Sequence, residues 1–401
     1  MTVTESVLTA DERIVDDRVT ELLTSHPPRT TDAVTFLGAQ FDAGLAWVHF
    51  PVDHGGLGVN PRLQKLVNER VLANGAPHPG ARNPIGYGMC GPTIAVWGND
   101  EQKCRYLRPL FTGEEIWCQL FSEPGAGSDF AGLSAKGVKD GDEWVCNGQK
   151  VWTTLAHVSA WGLLVVRTDA EAVKHAGLTA FIVDMRDPTV QVLPLRQMTG
   201  EAEFNEVFFT DTRIPASAML GKPGDGWRVS LTTLMNERVS IGGSIPAKGS
   251  GVIRDLVSTW NELPQDRKDP ATRDEVMKLW SRAEILRLTN IRANQNRKMG
   301  DPGPEGSIGK GASAELNKDV YELIVDLMGA NGMLYGSYAM TRPNHAMGFE
   351  TMQKAFLRMR ANSIEGGTTE VMKNILGERV LGLPGDVRVD RDRPWSEVPR
   401  N

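Results

Sequence analysis

Two stretches of this 401-residue chain carry groups suited to a redox reaction. The first runs Trp117-Cys118-Gln119-Leu120-Phe121-Ser122-Glu123-Pro124-Gly125-Ala126-Gly127-Ser128-Asp129, and the second Asn147-Gly148-Gln149-Lys150-Val151-Trp152-Thr153-Thr154. One joins a hydroxyl to a glycine-rich turn; the other ends in an aromatic and two more hydroxyls. A planar redox cofactor needs this combination: amide and hydroxyl donors along its polar edge, an aromatic or apolar wall against its face, and glycines where backbone must come close. Singly, the pieces say less. Gly125-Ala126-Gly127 has Phe130 where a dinucleotide fingerprint carries its third glycine, and no strand-helix-strand unit surrounds it. Ile308-Gly309-Lys310-Gly311 is no phosphate loop, because Pro304 holds the first glycine position and no Ser or Thr follows the lysine.

A folded frame must position these groups, and the pattern changes twice along the chain, predicting an α+β multi-domain protein. Residues 1–115 read as an N-terminal helical domain. Thr31-Asp32-Ala33-Val34 offers a helix cap, Pro51 to Gly58 a sharp loop, Leu63 to Ala73 a helix, and Glu101 to Leu107 a surface helix turning Tyr106 and Leu107 inward. Residues 116–217 read as a middle β domain, a compact barrel or sandwich. Its expected strands are Trp144 to Cys146 and Gln149 to Thr154 about an Asn147-Gly148 hairpin turn, then Trp161 to Val166, Leu178 to Val183, Val190 to Leu195 and Phe204 to Phe209. Residues 218–401 return to helix. Asp269-Pro270 supplies a cap and a first-turn proline, and the stripe Val320, Leu323, Ile324, Leu327 and Met328 stops at Gly329. Pro302 to Gly306 reads as a loop, and the tail after Gly385 as an extended arm.

The net charge of −6 leaves no basic excess to displace counterions from nucleic acid. Arg358-Met359-Arg360 could meet a phosphate-bearing small molecule, although a solvated helix face is the expectation for such a stretch. The longest apolar runs, such as Leu163 to Val166, are far too short to span a bilayer, and Met1 to Ser6 lacks the basic start and apolar core of a secretory signal. The four cysteines form no Cys-x-x-Cys pair and the seven histidines no His-x-x-x-His pair. A structural metal or disulfide framework is therefore not expected, and a cytoplasmic location is.

Taken in order along the chain, these motifs resemble the acyl-CoA dehydrogenase family of flavoproteins. The resemblance also rests on Pro51 to Gly58, on Trp97-Gly98-Asn99-Asp100-Glu101-Gln102-Lys103, on Gly329 to Gly332 and on Ile364-Glu365-Gly366-Gly367-Thr368-Thr369-Glu370. It implies an N-terminal helical domain, a middle β-barrel domain and a C-terminal four-helix bundle. It also implies bound FAD, with Gln119, Leu120, Phe121 and Ser122 along the isoalloxazine and the Ser122 hydroxyl donating to its polar edge. Trp152 then packs against the ring, Thr153 follows it, and the Thr154 hydroxyl lies near N5 and O4. Thr368 and Glu370 fall near the adenosine half, and Ser128 and Arg238 on the substrate side.

The reaction implied removes two hydrogens across Cα–Cβ of an acyl-CoA thioester, a carboxylate taking the α proton while the β hydrogen leaves as hydride to the flavin. Two glutamates compete for the base. Many members carry it just before the Gly-Thr pair, where this chain has Gly366, with Glu365 one step earlier. That step redirects a carboxylate by several ångströms. A second branch, long-chain and isovaleryl-like, places the base before an arginine on the first helix of the C-terminal lobe, and Leu234-Met235-Asn236-Glu237-Arg238-Val239 matches it. Glu237 is the preferred candidate and Glu365 the second. The family's usual Arg-x-x-x-Phe-Gly segment, which reaches the pyrophosphate of a neighbouring subunit's FAD, is replaced by Leu263 to Pro270, and the glutamine that usually precedes its Gly-Gly-x-Gly segment by Asp326 when the glycines align at Gly329. A homo-oligomer (dimer or tetramer) with electron-transferring flavoprotein as acceptor is expected, and a hetero-oligomer is the variant. Fatty, branched and steroid side-chain acyl groups all satisfy the pattern. The rival readings are a flavin monooxygenase or oxidase of the same fold, and a catalytically silent partner subunit.

Overall fold

The computed structural model describes residues 8–242, 245–297, 305–345, 350–387, 390 and 392–399, without the side chains of residues 237–242, 296–297 and 305. The N-terminal helices are α1 (Ala10–Ser25), α2 (Ala33–Asp42), α3 (Gln64–Ala73), α4 (Gly91–Trp97) and α5 (Asp100–Thr112). Asp32 caps α2, its carboxylate accepting from the Thr35 amide at 3.0 Å. Asn99 and Gln102 form a reciprocal capping box on α5. Leu107 points fully inward, with Tyr106 half-buried beside it against Trp117 and Trp161.

The middle strands are β1 (Trp117–Leu120), β2 (Lys136–Asp140), β3 (Glu143–Thr154), β4 (Trp161–Arg167), β5 (Leu178–Asp184), β6 (Val190–Leu195), β7 (Phe204–Pro215) and β8 (Met219–Leu220). They form one eight-stranded sheet, ordered β6-β7-β3-β2-β4-β5-β8, with β1 pairing in parallel to β4. Side chains alternate across a strand. In β4, Leu163 and Val165 accordingly join the core shared with the helical lobe, while Leu164 and Val166 enter a second core with Phe181 and Val207.

The Asn147-Gly148 pair does not turn the chain, contrary to expectation. β3 runs straight through it, and the hairpin closes instead at Gly141-Asp142, where Asp140 pairs with Glu143. Asn147 and Gly148 form an irregularity in the β3–β7 ladder. The Asn147 side chain both donates to Asp211 and accepts its amide, each at 2.9 Å, which satisfies the backbone at the slip. A Cβ on Gly148 would lie 2.5 Å from the Ala135 Cβ, so close packing, not a turn, demands this glycine.

The C-terminal helices are α6 (Gly226–Gly242), α7 (Val252–Glu262), α8 (Pro270–Arg297), α9 (Glu305–Met328), α10 (Met352–Met359) and α11 (Thr369–Arg379). A third core, including Ile253, Leu256, Val276, Val320, Ile324 and Met359, joins α7 to α10. Asp269 caps α8 through the Ala271 and Thr272 amides, and α9 ends where Gly329 takes φ +60°. Of the loop expected at 302–306, residues 302–304 lie outside the described residues and α9 already begins at Glu305. The tail does not hang free: Trp395 is buried, and Trp395 and Ser396 donate to the Ala172 and Ala170 carbonyls of the β lobe.

Candidate active site

The two chemistry-bearing stretches meet because β1 and β3 carry them to the same end of the sheet. Beyond β1, the Ser122 carbonyl accepts the Val151 amide at 2.9 Å. A buried ion pair then locks them: Lys150 Nζ donates to a Glu123 carboxylate oxygen at 2.8 Å and to the Phe121 carbonyl at 3.0 Å. The same carboxylate accepts the Ser134 and Ala135 amides at 2.6 and 3.0 Å. Leu120 and Phe121 are buried, while Gln119 and Ser122 are half-buried. Past Glu123 the chain opens into the turn of Gly125, Gly127 and Ser128, all exposed. A Cβ on either glycine would meet nothing within 4 Å, so no neighbour within the chain requires their smallness.

Trp152 sits on a second ladder irregularity, between Lys150 and Thr153. Its φ of +59° is left-handed, a costly conformation for a bulky residue. Its indole is 57 % exposed and touches one ring, the Phe204 edge at 5.8 Å. A tryptophan displayed at such cost, beside half-buried Ser122, Gln119 and Thr154 and an open glycine turn, fits the flat, polar-edged ring of a flavin. Thr153 turns the other way. It is fully buried, its Oγ1 has no hydrogen-bond partner among the described residues, and its carbonyl accepts from Asn205 at 3.1 Å.

The C-terminal motif reaches this strand through an arginine the sequence reading set aside. Arg358 is 4 % exposed, not part of a solvated face, and grips both Glu365 oxygens at 3.1 and 2.7 Å. Its guanidinium lies 5.7 Å from the Phe204 ring, the same ring that abuts Trp152. Its Nε is 3.9 Å from Glu203, whose carboxyl burial pushes above the usual range. Asn362 also donates to Glu365, at 2.8 Å. Lys310 braces the loop by donating to the Asn362 and Gly367 carbonyls, where Gly366 and Gly367 take φ of +62° and +94°. Thr368 caps α11 by accepting the Val371 amide at 3.1 Å, with Glu370 exposed in the first turn.

Glu237 and Arg238 lie on α6, and their side chains fall outside the described residues. The helix itself is well anchored. Trp227 stacks on Phe130 and Phe130 on Phe121, with centroids 6.1 and 5.0 Å apart. Thr232 and Thr233 hydrogen-bond Trp97 and Thr93 of α4, both at 2.9 Å. Ten residues beyond Trp227, Glu237 lies about 15 Å further along the helix axis. Beside exposed Ser128, Asp129 receives Lys174 at 2.6 Å, and Lys174 also pairs with Asp390 of the tail. Sequence reading missed Lys150, Phe204, Trp227 and Arg358. The only signal for Lys150 was a charge at an inward strand position; Arg358 stood out only as part of a basic stretch expected on a solvated face, and nothing marked Phe204 or Trp227 as site residues.

No group of His, Cys, Asp and Glu among the described residues could hold a metal, and the four cysteines are unpaired. No helix among them is long and apolar enough to cross a membrane. The chain matches three consecutive domain families: the acyl-CoA dehydrogenase N-terminal domain over residues 10–114, middle domain over 118–212 and C-terminal domain over 224–381. It is 36 % identical over 351 residues to acyl-CoA dehydrogenase IpdE1 of Mycobacterium tuberculosis, covering 86 % of each chain. It is 25 % identical over 349 residues to the human mitochondrial short-chain specific acyl-CoA dehydrogenase, covering 84 % of this chain and 80 % of that one. Among solved structures, the ChsE4-ChsE5 complex of Mycobacterium tuberculosis shares the fold, with a TM-score of 0.69 at 24 % identity over 96 % of this chain and 100 % of that one. Matched across all three lobes, and with a surface tryptophan and donor set that suit a flavin, the chain belongs to the acyl-CoA dehydrogenase family of FAD-dependent oxidoreductases.

Proposed function

We propose that this protein converts an acyl-CoA thioester to its 2-enoyl-CoA, with Glu237 as the base that takes the α proton. The observation that carries the choice of base is the state of its rival. Both Glu365 oxygens are engaged by Arg358 and one also by Asn362, so proton transfer to Glu365 would have to break a charge-assisted pair. Bound FAD supplies the two-electron acceptor. Trp152 covers one ring face, Ser122 and Thr154 donate to the polar edge, and Thr368 and Glu370 attend the adenosine half. Ser128 and Arg238 lie on the substrate side. The base must be desolvated enough for its pKa to approach working pH, which closure of the acyl chain over α6 would provide.

Electron-transferring flavoprotein is the proposed acceptor, a homo-oligomer the proposed assembly and the cytoplasm the proposed location, the last supported by four free cysteines. The test is anaerobic titration with a panel of straight, branched and steroid side-chain acyl-CoAs. Glu237→Gln should keep FAD but lose bleaching by substrate, whereas Glu365→Gln should still bleach. The opposite pattern returns the base to Glu365. Rapid oxygen consumption by the reduced wild type would favour an oxidase instead.

A further inference from the structure

Lys150 is fully buried, yet no reactant needs to reach it. Lysine is almost never buried unless paired, and an apolar pair of similar volume often stabilises a fold as well as a buried ion pair does. Stability alone therefore does not account for it. Its bonds are specific. The ammonium touches the Phe121 carbonyl at 3.0 Å while Glu123 holds it at 2.8 Å. Glu123 is itself fixed by the Ser134 and Ala135 amides, and Arg167 anchors that loop through the Leu133 and Ala131 carbonyls. The peptide whose carbonyl receives the ammonium is the one whose N–H belongs to Ser122. Drawing electron density toward that oxygen makes the Ser122 N–H a stronger donor. Ser122 is also pinned from its other side, its carbonyl accepting the Val151 amide. None of these bonds uses the Ser122 N–H or hydroxyl.

We propose that Lys150, clamped by Glu123, is a positioning residue of the flavin pocket: it fixes Ser122 in place and raises the strength of the donor that Ser122 offers to the flavin's polar edge. This rests on the reading of the pocket as the flavin site. Donors aimed at that edge stabilise the electron-rich reduced ring more than the oxidised one, so the lysine should affect the reduction potential as well as cofactor binding.

The test uses the full-length protein, stripped of flavin and titrated with FAD by fluorescence quenching, with the flavin potential of the reloaded protein measured by dye equilibration. Lys150→Met should bind FAD about twofold to tenfold more weakly, because the bond it loses lies within the protein and reaches FAD only through Ser122, and the retained flavin should have a more negative potential. Lys150→Arg should recover part of both. Should Lys150→Met fail to fold, Glu123→Gln keeps the ammonium, loosens its clamp and should move the potential in the same direction by less. A folded Lys150→Met or Glu123→Gln protein with wild-type affinity and potential overturns the proposal, as does a fall in melting temperature with no change in potential. Trp152→Ala separates the two readings. If it weakens FAD binding while Lys150→Met does not, the pocket stands and the role of Lys150 falls. If neither matters, the flavin lies elsewhere and both fall.

Discussion

Glu365 and Trp152 show how a residue's surroundings decide what it can do. Glu365 is a loop carboxylate one step out of register with the usual base, and Arg358 converts it to one half of an ion pair. Removing it takes the nearer carboxylate from a cation that is 4 % exposed and leaves it Glu203, 3.9 Å from its Nε. Glu365→Ala should therefore cost about 3 kcal/mol, at the low end for a broken buried pair because the glutamate is partly solvated. Chemical denaturation would show this, and an unchanged midpoint would mean the pair is idle. Trp152 has the opposite character. Its φ of +59° costs about 1–2 kcal/mol that a glycine would not bear, and its exposed indole has little burial to lose. Trp152→Gly should thus leave the flavin-free protein as stable as wild type or more so, while weakening FAD binding. A large drop in its melting temperature would show that the indole is structural.

At the scale of elements, β3 governs the site. A single strand from Glu143 to Thr154 carries two ladder irregularities; the first makes room for Ala135 and the second displays Trp152. The short helical turn that follows places His157 between Asn205 and the Pro343 carbonyl. Pro343 can only accept, so Nε2 donates to it at 3.0 Å and Nδ1 accepts from the Asn205 amide at 3.3 Å, which requires neutral imidazole. Burial, with nearby Arg342 adding to it, lowers the His157 pKa below 6.5. The unfolded chain therefore takes up the proton first on acidification. The contribution of His157 to stability is complete above 6.5 and is lost as pH falls through the depressed folded value. Melting temperatures of wild type and His157→Gln should differ most above pH 6.5 and converge as pH falls below it; a constant difference would exclude this role.

Across the whole molecule, contacts distant in sequence bind the lobes around the site. Gln102 of α5 donates to the Ser217 and Met219 carbonyls at the start of β8. Lys354 of α10 pairs with Glu201, and Arg358 approaches Glu203, joining bundle to sheet. The tail closes the circuit: the Arg167 guanidinium lies 4.0 Å from the Trp395 ring centroid, and Asp390 shares Lys174 with Asp129 beside the glycine turn. Trp395→Ala should destabilise the protein by about 3 kcal/mol and make the tail susceptible to limited proteolysis. Resistance equal to wild type would show that the docking contributes little. Native mass spectrometry belongs to this scale too. One FAD per identical chain is expected, and a second kind of subunit would overturn the homo-oligomer.

Much of this was legible in the chain itself, because local physics writes it there. Caps at Asp32 and Asp269 and the stop at Gly329 depend on residues within a turn or two of one another, as do the ordered motifs that mark the family. Asn147-Gly148 misled because its geometry is set by Ala135 and Asp211, neither a sequence neighbour. The buried Lys150–Glu123 clamp spans 27 residues and the Lys174–Asp390 pair 216. The order of residue patterns along the chain was enough for the three lobes and the family. Which charges are buried against each other was settled by folding alone, because a charge's partner is chosen by proximity in space, and burial then makes that choice count.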